Sequence, residues 1–227
     1  MTLVAYTREV SPTLADCELT HLEREPLDVA RAAAEHHAYE ALLSQLGATV
    51  SRLPAEPGLP DAVFVEDTAV VLDEIAVITR PGAVSRRPET SSVAAALAAH
   101  RPLARIEGPA TLDGGDVLVV GRRLYVGLST RSSRTAIEQL AALLRPFDYE
   151  VVPVHFSDCL HLKSCVTQVG ENLLLLNPAW VDPSVFAGCC TVEVDPAEPH
   201  AGNALALGGV VIHAQQFPRT RARLEAE

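Results

Sequence analysis

The chain has 227 residues, 48% of them apolar, 21% charged and 4% aromatic. That mixture excludes a disordered or collagen-like chain, and the length allows roughly 70% of the unfolded surface to be buried around a sizeable core. Eighteen basic residues stand against 29 acidic ones, for a net charge of −11. No run of clustered Lys and Arg is present to track phosphates, which argues against a nucleic-acid partner, and a surface of this sign weakly attracts small cations.

Five Cys in a long chain without a secretory signature read as reduced thiols. MTLVAYTREV has no basic start followed by a sustained apolar stretch. The longest wholly apolar run, VAAALAA (93–99), is far short of the ~20 residues of a membrane span. The expectation is a soluble, cytoplasmic protein with no membrane partner. Lys163, the one Lys among the eighteen basic residues, is read as a compositional habit.

Taken in chain order, LVAYTR reads as a strand, residues 28–47 as a helix closed by Gly47, and ATVSRLP as a strand. DAVFVEDTAVVLDEIAVITRPG (61–82) alternates apolar residues on both sides of Asp73 and Glu74, as a hairpin does. A helix, ETSSVAAALAAH (89–100), and a strand, PLARIEG, follow. TLDGGDVLVVGRRLYVGLS (111–129) is a second hairpin about Gly121 to Arg123, followed by the helix SRTAIEQLAALLR (133–145) and the strand YEVVPVHF. HLKSCVTQVGENLLLLNP (161–178) is a third, with a shorter connection to the strand TVEV. NALALGGVVIHAQQ (203–216) turns at Gly208 and Gly209, and PRTRARLEAE (218–227) starts a helix.

The turns recur about 48, 49 and 38 residues apart, as in a repeated supersecondary unit. Four ββαβ-like units and an N-terminal part predict an α/β fold in one domain, 1–227, a closed ring of small mixed sheets. A doubly wound βαβ fold ranks second, since it would not need the hairpins. No strand follows the last helix, so the expectation is a ring that lacks its closing C-terminal strand.

Polar residues recur at one phase of the repeat, near the start of each hairpin. They are Asp61, Glu66 and Asp67, then Asp113 and Asp116, then His161, then His200 and Asn203. In a ring these positions converge on the axis. Converging carboxylates repel unless a cation neutralises them, either a metal ion or a guanidinium, which matches them in planar, bidentate geometry. Each group taken alone has a plainer explanation. Gly114-Gly115 makes a tight turn capped by Asp113 and Asp116, and Glu66 and Asp67 are edge-strand charges. His161 is then a core His, and His36 and His37 lie on a helix surface. Cys189-Cys190 has neither the CxxC pair nor the His pair of structural zinc. Recurrence at one phase outweighs these.

LPDAVFVEDTAVV, AVITRPGAVSRR, TLDGGDVLVVGRRLYVGLSTRS, CLHLKS and PHAGNALAL resemble the dimethylarginine dimethylaminohydrolase family. The resemblance runs from about Leu19 to the last residue. It implies the five-bladed α/β propeller (pentein) of the guanidino-group-modifying superfamily, and hydrolysis of N-omega-methylated arginines to citrulline. It further implies His161 as the catalytic acid–base residue and Asp113 as its acidic partner. Asp67 would grip the substrate guanidinium, with Glu66 and Asp61 as neighbouring binding positions. Arg86 and Arg131 would bind the amino-acid end, and Leu19 would sit in a lid. No cofactor and no metal are implied, and the partner is a small cationic substrate, on a monomer or a homodimer.

The family's nucleophilic Cys is not matched in this sequence. Cys165, read on the same strand as His161, would lie ~13 Å further along. Cys159 alone is kept as an internal candidate. The expectation is therefore a native product about 25–35 residues longer, an estimate carried by the resemblance, and an inactive 227-residue form. A related guanidino or ureido hydrolase, or a non-catalytic binder of arginine derivatives, are the alternatives.

Overall fold

The computed structural model describes residues 3–20 and 23–227. It divides into two compact units, residues 1–105 and 106–227.

In the first unit, β1 (Val4–Arg8) pairs in parallel with β2 (Thr49–Leu53). The helix α1 (Val29–Gln45) lies between them in sequence. Asp28 begins it by accepting the Arg31 N–H at 3.0 Å, and Gly47 ends the connection at φ +93°, where a side chain would be strained. β3 (Ala69–Val71) and β4 (Ala76–Ile78) form the first predicted hairpin, and β5 (Leu103–Arg105) returns parallel to β4. The returning chain passes through α2 (Thr90–Leu97), which seats Val93, Ala94 and Leu97 against Ala76 and Ile78. Burying apolar side chains of this size stabilises by roughly 1.5–3 kcal/mol each.

The second unit repeats that order. β6 (Val117–Val120) and β7 (Arg123–Leu128) form a hairpin, α3 (Arg134–Leu144) follows, and β8 (Glu150–His155) returns parallel to β7. Ser133 caps α3 by accepting the Ala136 N–H, and the helix buries Ala136, Ile137, Leu140 and Leu144. A single helical turn, α4 (Leu162–Cys165), precedes the next hairpin, β9 (Val166–Gly170) with β10 (Leu173–Leu176). β11 (Cys190–Glu193) then returns parallel to β10. In this unit a 3-10 turn at Pro183–Phe186 replaces the crossover helix. β12 (Ala204–Leu207) and β13 (Val210–His213) make the last hairpin. Gly208 and Gly209 both take positive φ in its two-residue turn, the demand of a turn matched to strand twist. The helix α5 (Pro218–Leu224) follows. Leu118, Tyr125, Val154, Leu162, Cys165, Leu174 and Phe186 share one buried cluster, with Tyr125 and Phe186 edge to face at 4.8 Å. No helix among the described residues is long and apolar enough to cross a membrane.

The fold is therefore mixed α/β, and the expected hairpins and helices are where the periodicity placed them. One feature differs. Three of the segments that carry the polar residues are not extended. Val65–Thr68 and Gly114–Asp116 are 3-10 turns and Leu162–Cys165 is a helical turn, each delivering the chain into the first strand of a hairpin. Alternation over four to six residues does not distinguish a short strand from one helical turn. The correction moves Cys165. On a helical turn successive residues rise ~1.5 Å, so the ~13 Å strand separation from His161 does not apply.

Candidate active site

In the first unit the 3-10 turn at Val65–Thr68 carries Asp67 into a buried position, and the 3-10 stretch Val84–Glu89 brings Arg86 to meet it. Arg86 is 3% exposed. Its Nη1 donates to Asp67 Oδ2 at 2.7 Å, and its Nε and Nη2 donate to the two oxygens of Glu89 at 3.2 and 2.9 Å. Nη2 also reaches the carbonyls of Asp61 and Phe64 at 3.3 and 3.4 Å. Burial by itself would lower the Arg86 pKa, but the contacts with Glu89 and Asp67 outweigh it and raise it. Burial likewise pushes the Glu89 carboxyl up, against the pull of Arg86.

Asp61 is also buried, and both its oxygens face the Glu18 N–H, at 3.1 and 3.2 Å. The Ser85 hydroxyl donates to the Glu18 carboxylate. Asp61 and Ser85 thus tie down the chain immediately before Leu19, which is exposed. Glu66 is exposed as well.

These contacts add a pairing that the sequence reading did not contain. Asp67 and Arg86 were expected at opposite ends of an extended ligand, yet their side chains meet. Four of the five Arg86 N–H bonds are directed at protein oxygens, so this guanidinium is committed to holding Asp67 and Glu89.

In the second unit Asp113 and Asp116 flank Gly114-Gly115, and both carboxylates are fully buried. His161 stands just before α4, and its ring lies between them. Nδ1 is 3.5 Å from Asp116 Oδ1 and Nε2 is 4.0 Å from Asp113 Oδ2. Arg131 brings Nη1 to 3.6 Å from the same Asp113 oxygen and is itself buried. The second unit therefore brings together three of the expected residues, His161, Asp113 and Arg131. Such distances are long for hydrogen bonds, as is usual before substrate tightens a site.

Asp116 has more partners than its sequence role as a turn cap required. Besides lying 3.5 Å from His161 Nδ1, it accepts from the Ser129 hydroxyl at 2.7 Å, the Ser132 hydroxyl at 2.6 Å and the Leu162 N–H at 3.0 Å. Ser132 Oγ in turn accepts the Asp113 N–H at 3.1 Å. Neither serine was singled out in the sequence; the available signal was the ST-R-SS run ending the second hairpin. His200 instead packs edge-on against Trp180 at 5.0 Å, and Asn203 donates to the Lys163 carbonyl at 3.0 Å.

The thiols beside His161 are engaged. Cys159 donates to the His161 carbonyl at 3.4 Å, and Cys165 to the Leu162 carbonyl at 3.2 Å. The proximity of the two thiols lowers the Cys159 pKa and raises that of Cys165, while burial pushes both up.

Gly127 on β7 closes this wall. A Cβ there would stand 2.6 Å from the Phe156 ring, 3.0 Å from Leu162 Cβ and 3.2 Å from Asp116 Oδ1. Gly127→Ala is expected to cost about 1–3 kcal/mol of stability through overpacking, checked by urea unfolding.

A histidine held between two buried carboxylates can take up and give back a proton at a fixed place. A family model described as N,N dimethylarginine dimethylhydrolase, eukaryotic, matches residues 20–183. The chain is 38% identical over 218 residues to the N(G),N(G)-dimethylarginine dimethylaminohydrolase of Streptomyces coelicolor, covering 95% of this chain and 83% of that one. The chain belongs to the dimethylarginine dimethylaminohydrolase family. A second relative bearing that name, from Pseudomonas aeruginosa, is 33% identical over 199 residues, covering 87% of this chain and 78% of its own. A solved structure of a mutant of the Pseudomonas aeruginosa protein complexed with citrulline matches with a TM-score of 0.94 at 31% identity. It is covered over 89% of its length and covers all of this chain. A dimethylarginine dimethylaminohydrolase adduct with S-methyl-L-thiocitrulline matches with a TM-score of 0.93 at 30% identity, over the same shares of both chains.

Proposed function

We propose that this protein hydrolyses N-omega-methylated arginines to citrulline and methylamine or dimethylamine. The observation that carries the reading is His161 suspended between Asp113 and Asp116, in a chain of the family whose relatives include a citrulline complex. In the first unit Asp67 is the carboxylate proposed to hold the substrate guanidinium. Arg86 holds Asp67, Asp61 fastens the segment before Leu19, and Glu66 is kept as a neighbouring binding position. In the second unit His161 is the proposed acid–base residue and Asp113 its acidic partner, and Arg131 is proposed for the substrate carboxylate.

The guanidinium carbon is a poor electrophile because its charge is delocalised. Charge-assisted hydrogen bonds to a carboxylate, worth roughly 1.5–3 kcal/mol each, fix its plane for attack. A Cys thiolate adds to that carbon, the alkylamine leaves with a proton from His161, and a thiouronium remains on sulfur. Water, deprotonated by the same His, then adds to that carbon and expels the thiolate, giving citrulline. Neither Cys159 nor Cys165 is proposed as that nucleophile, their thiols donating to the His161 and Leu162 carbonyls. Among the described residues, five small sheets, three of them sharing one ββ-return order, support a five-bladed α/β propeller as the architecture.

Citrulline release from arginine, monomethylarginine and dimethylarginine tests the activity. Preference for the methylated substrates supports it. Release from arginine alone would assign a related guanidino hydrolase, and tight binding without turnover a binding protein. Citrulline from the 227-residue chain itself would make Cys159 the first residue to replace.

A further inference from the structure

The carboxylate nearest to His161 Nδ1 is that of Asp116, at 3.5 Å. We propose that Asp116 is a positioning residue: Oδ1 accepts a hydrogen bond from Nδ1–H of His161, which fixes the neutral ring as the Nδ1–H tautomer and leaves Nε2 to carry the proton in the reaction. This rests on His161 being the acid–base residue proposed above, and it adds a second carboxylate with a different task from that of Asp113.

The acceptor inventory of Asp116 leads to this assignment. A carboxylate has about four acceptor sites, two on each oxygen. Ser129 and Ser132 hydroxyls fill those of Oδ2, at 2.7 and 2.6 Å. The Leu162 N–H takes one site on Oδ1 at 3.0 Å, and His161 Nδ1 lies against the other at 3.5 Å. The carboxylate is fully buried, so no solvent competes for these sites. An acceptor-only oxygen beside Nδ1 requires that nitrogen to be the donor, which leaves Nε2 with its lone pair.

The placement is also mechanically stiff. Leu162 follows His161 directly, so the Asp116 oxygen that accepts the Leu162 N–H at 3.0 Å also faces the ring nitrogen at 3.5 Å. A Cβ at Gly127 would crowd that oxygen at 3.2 Å, so the glycine leaves it room. Asp113, on the Nε2 side at 4.0 Å and shared with Arg131 at 3.6 Å, is left to act on the reacting edge of the ring. The division resembles the general logic of a base oriented by one group and reacting through its other nitrogen.

The tautomer is read directly by nitrogen NMR of the side chains of the intact chain, labelled at histidine and held at a pH where the ring is neutral. His161 is expected as Nδ1–H, and a ring protonated at Nε2 in the wild type overturns the proposal. Because this measurement needs no turnover, it remains decisive even where citrulline release fails. Asp116→Asn is expected to lose the preference for Nδ1–H. It should also lower kcat by up to about 10⁴-fold with KM within a few-fold, the loss seen when a triad's orienting Asp becomes Asn. Ser132→Ala, which removes a donor from Oδ2 but leaves Oδ1 facing the ring, is expected to keep the Nδ1–H tautomer and to lose far less rate. Unchanged kcat in Asp116→Asn, or equal losses of rate and tautomer in the two variants, would refute a positioning role. If Asp116→Asn does not fold, the wild-type and Ser132→Ala spectra still decide the matter.

Discussion

His161→Ala is expected to lower kcat for citrulline release by about 10²–10⁴-fold while KM changes only a few-fold, because general acid–base help is lost and ground-state contacts are not. The ring is not part of the apolar core cluster beside it and faces two carboxylates, so the variant is expected to fold. The check is steady-state kinetics together with a thermal unfolding curve. Near wild-type turnover would remove His161 from the chemistry, and a KM that rose alone would make it a binding residue.

Arg86→Ala is expected to destabilise the protein by about 3–5 kcal/mol, the usual cost of removing one partner from a buried ion-pair network. Arg86 is bonded to Asp67 and Glu89 at 2.7–3.2 Å, and both acids are buried. Without the guanidinium, two carboxylates face each other with little solvent between them. Destabilisation is therefore expected to be largest where both are ionised and to shrink as the pH falls and Glu89, which burial already pushes up, takes a proton. Urea unfolding at several pH values measures this. A change under about 0.5 kcal/mol, typical of a surface substitution, would mean that the network does not hold this part of the unit. The same variant is expected to impair turnover through a displaced Asp67, an effect that Glu89→Gln should share in part.

Several features of this protein were determined by the sequence alone. Turn residues at Asp73-Glu74, Gly121 to Arg123, Gly170 to Asn172 and Gly208-Gly209 sit between apolar runs, and each produced a hairpin. Helical periodicity over 28–47 and 133–145 placed α1 and α3 within a residue or two, and Asp28 and Ser133 cap them. These signals are local: a β-turn or a cap needs only its neighbours in the chain. The repeat phase also picked out Asp113, Asp116 and His161, because equivalent residues in equivalent units recur at one spacing.

Only the tertiary structure decided what those residues touch. Sequence spacing is blind to the three-dimensional count of donors and acceptors. Ser129 and Ser132 come from the far side of the β6–β7 hairpin, and Leu162 from 46 positions further along the chain. Nothing in the 113–116 segment could show that Asp116, rather than Asp113, would lie against His161 Nδ1. Arg86 and Asp67 are 19 positions apart and meet through two separate 3-10 turns. Pairings of this kind follow from which side chains must neutralise one another once water has been removed, and that is settled by packing rather than by pattern.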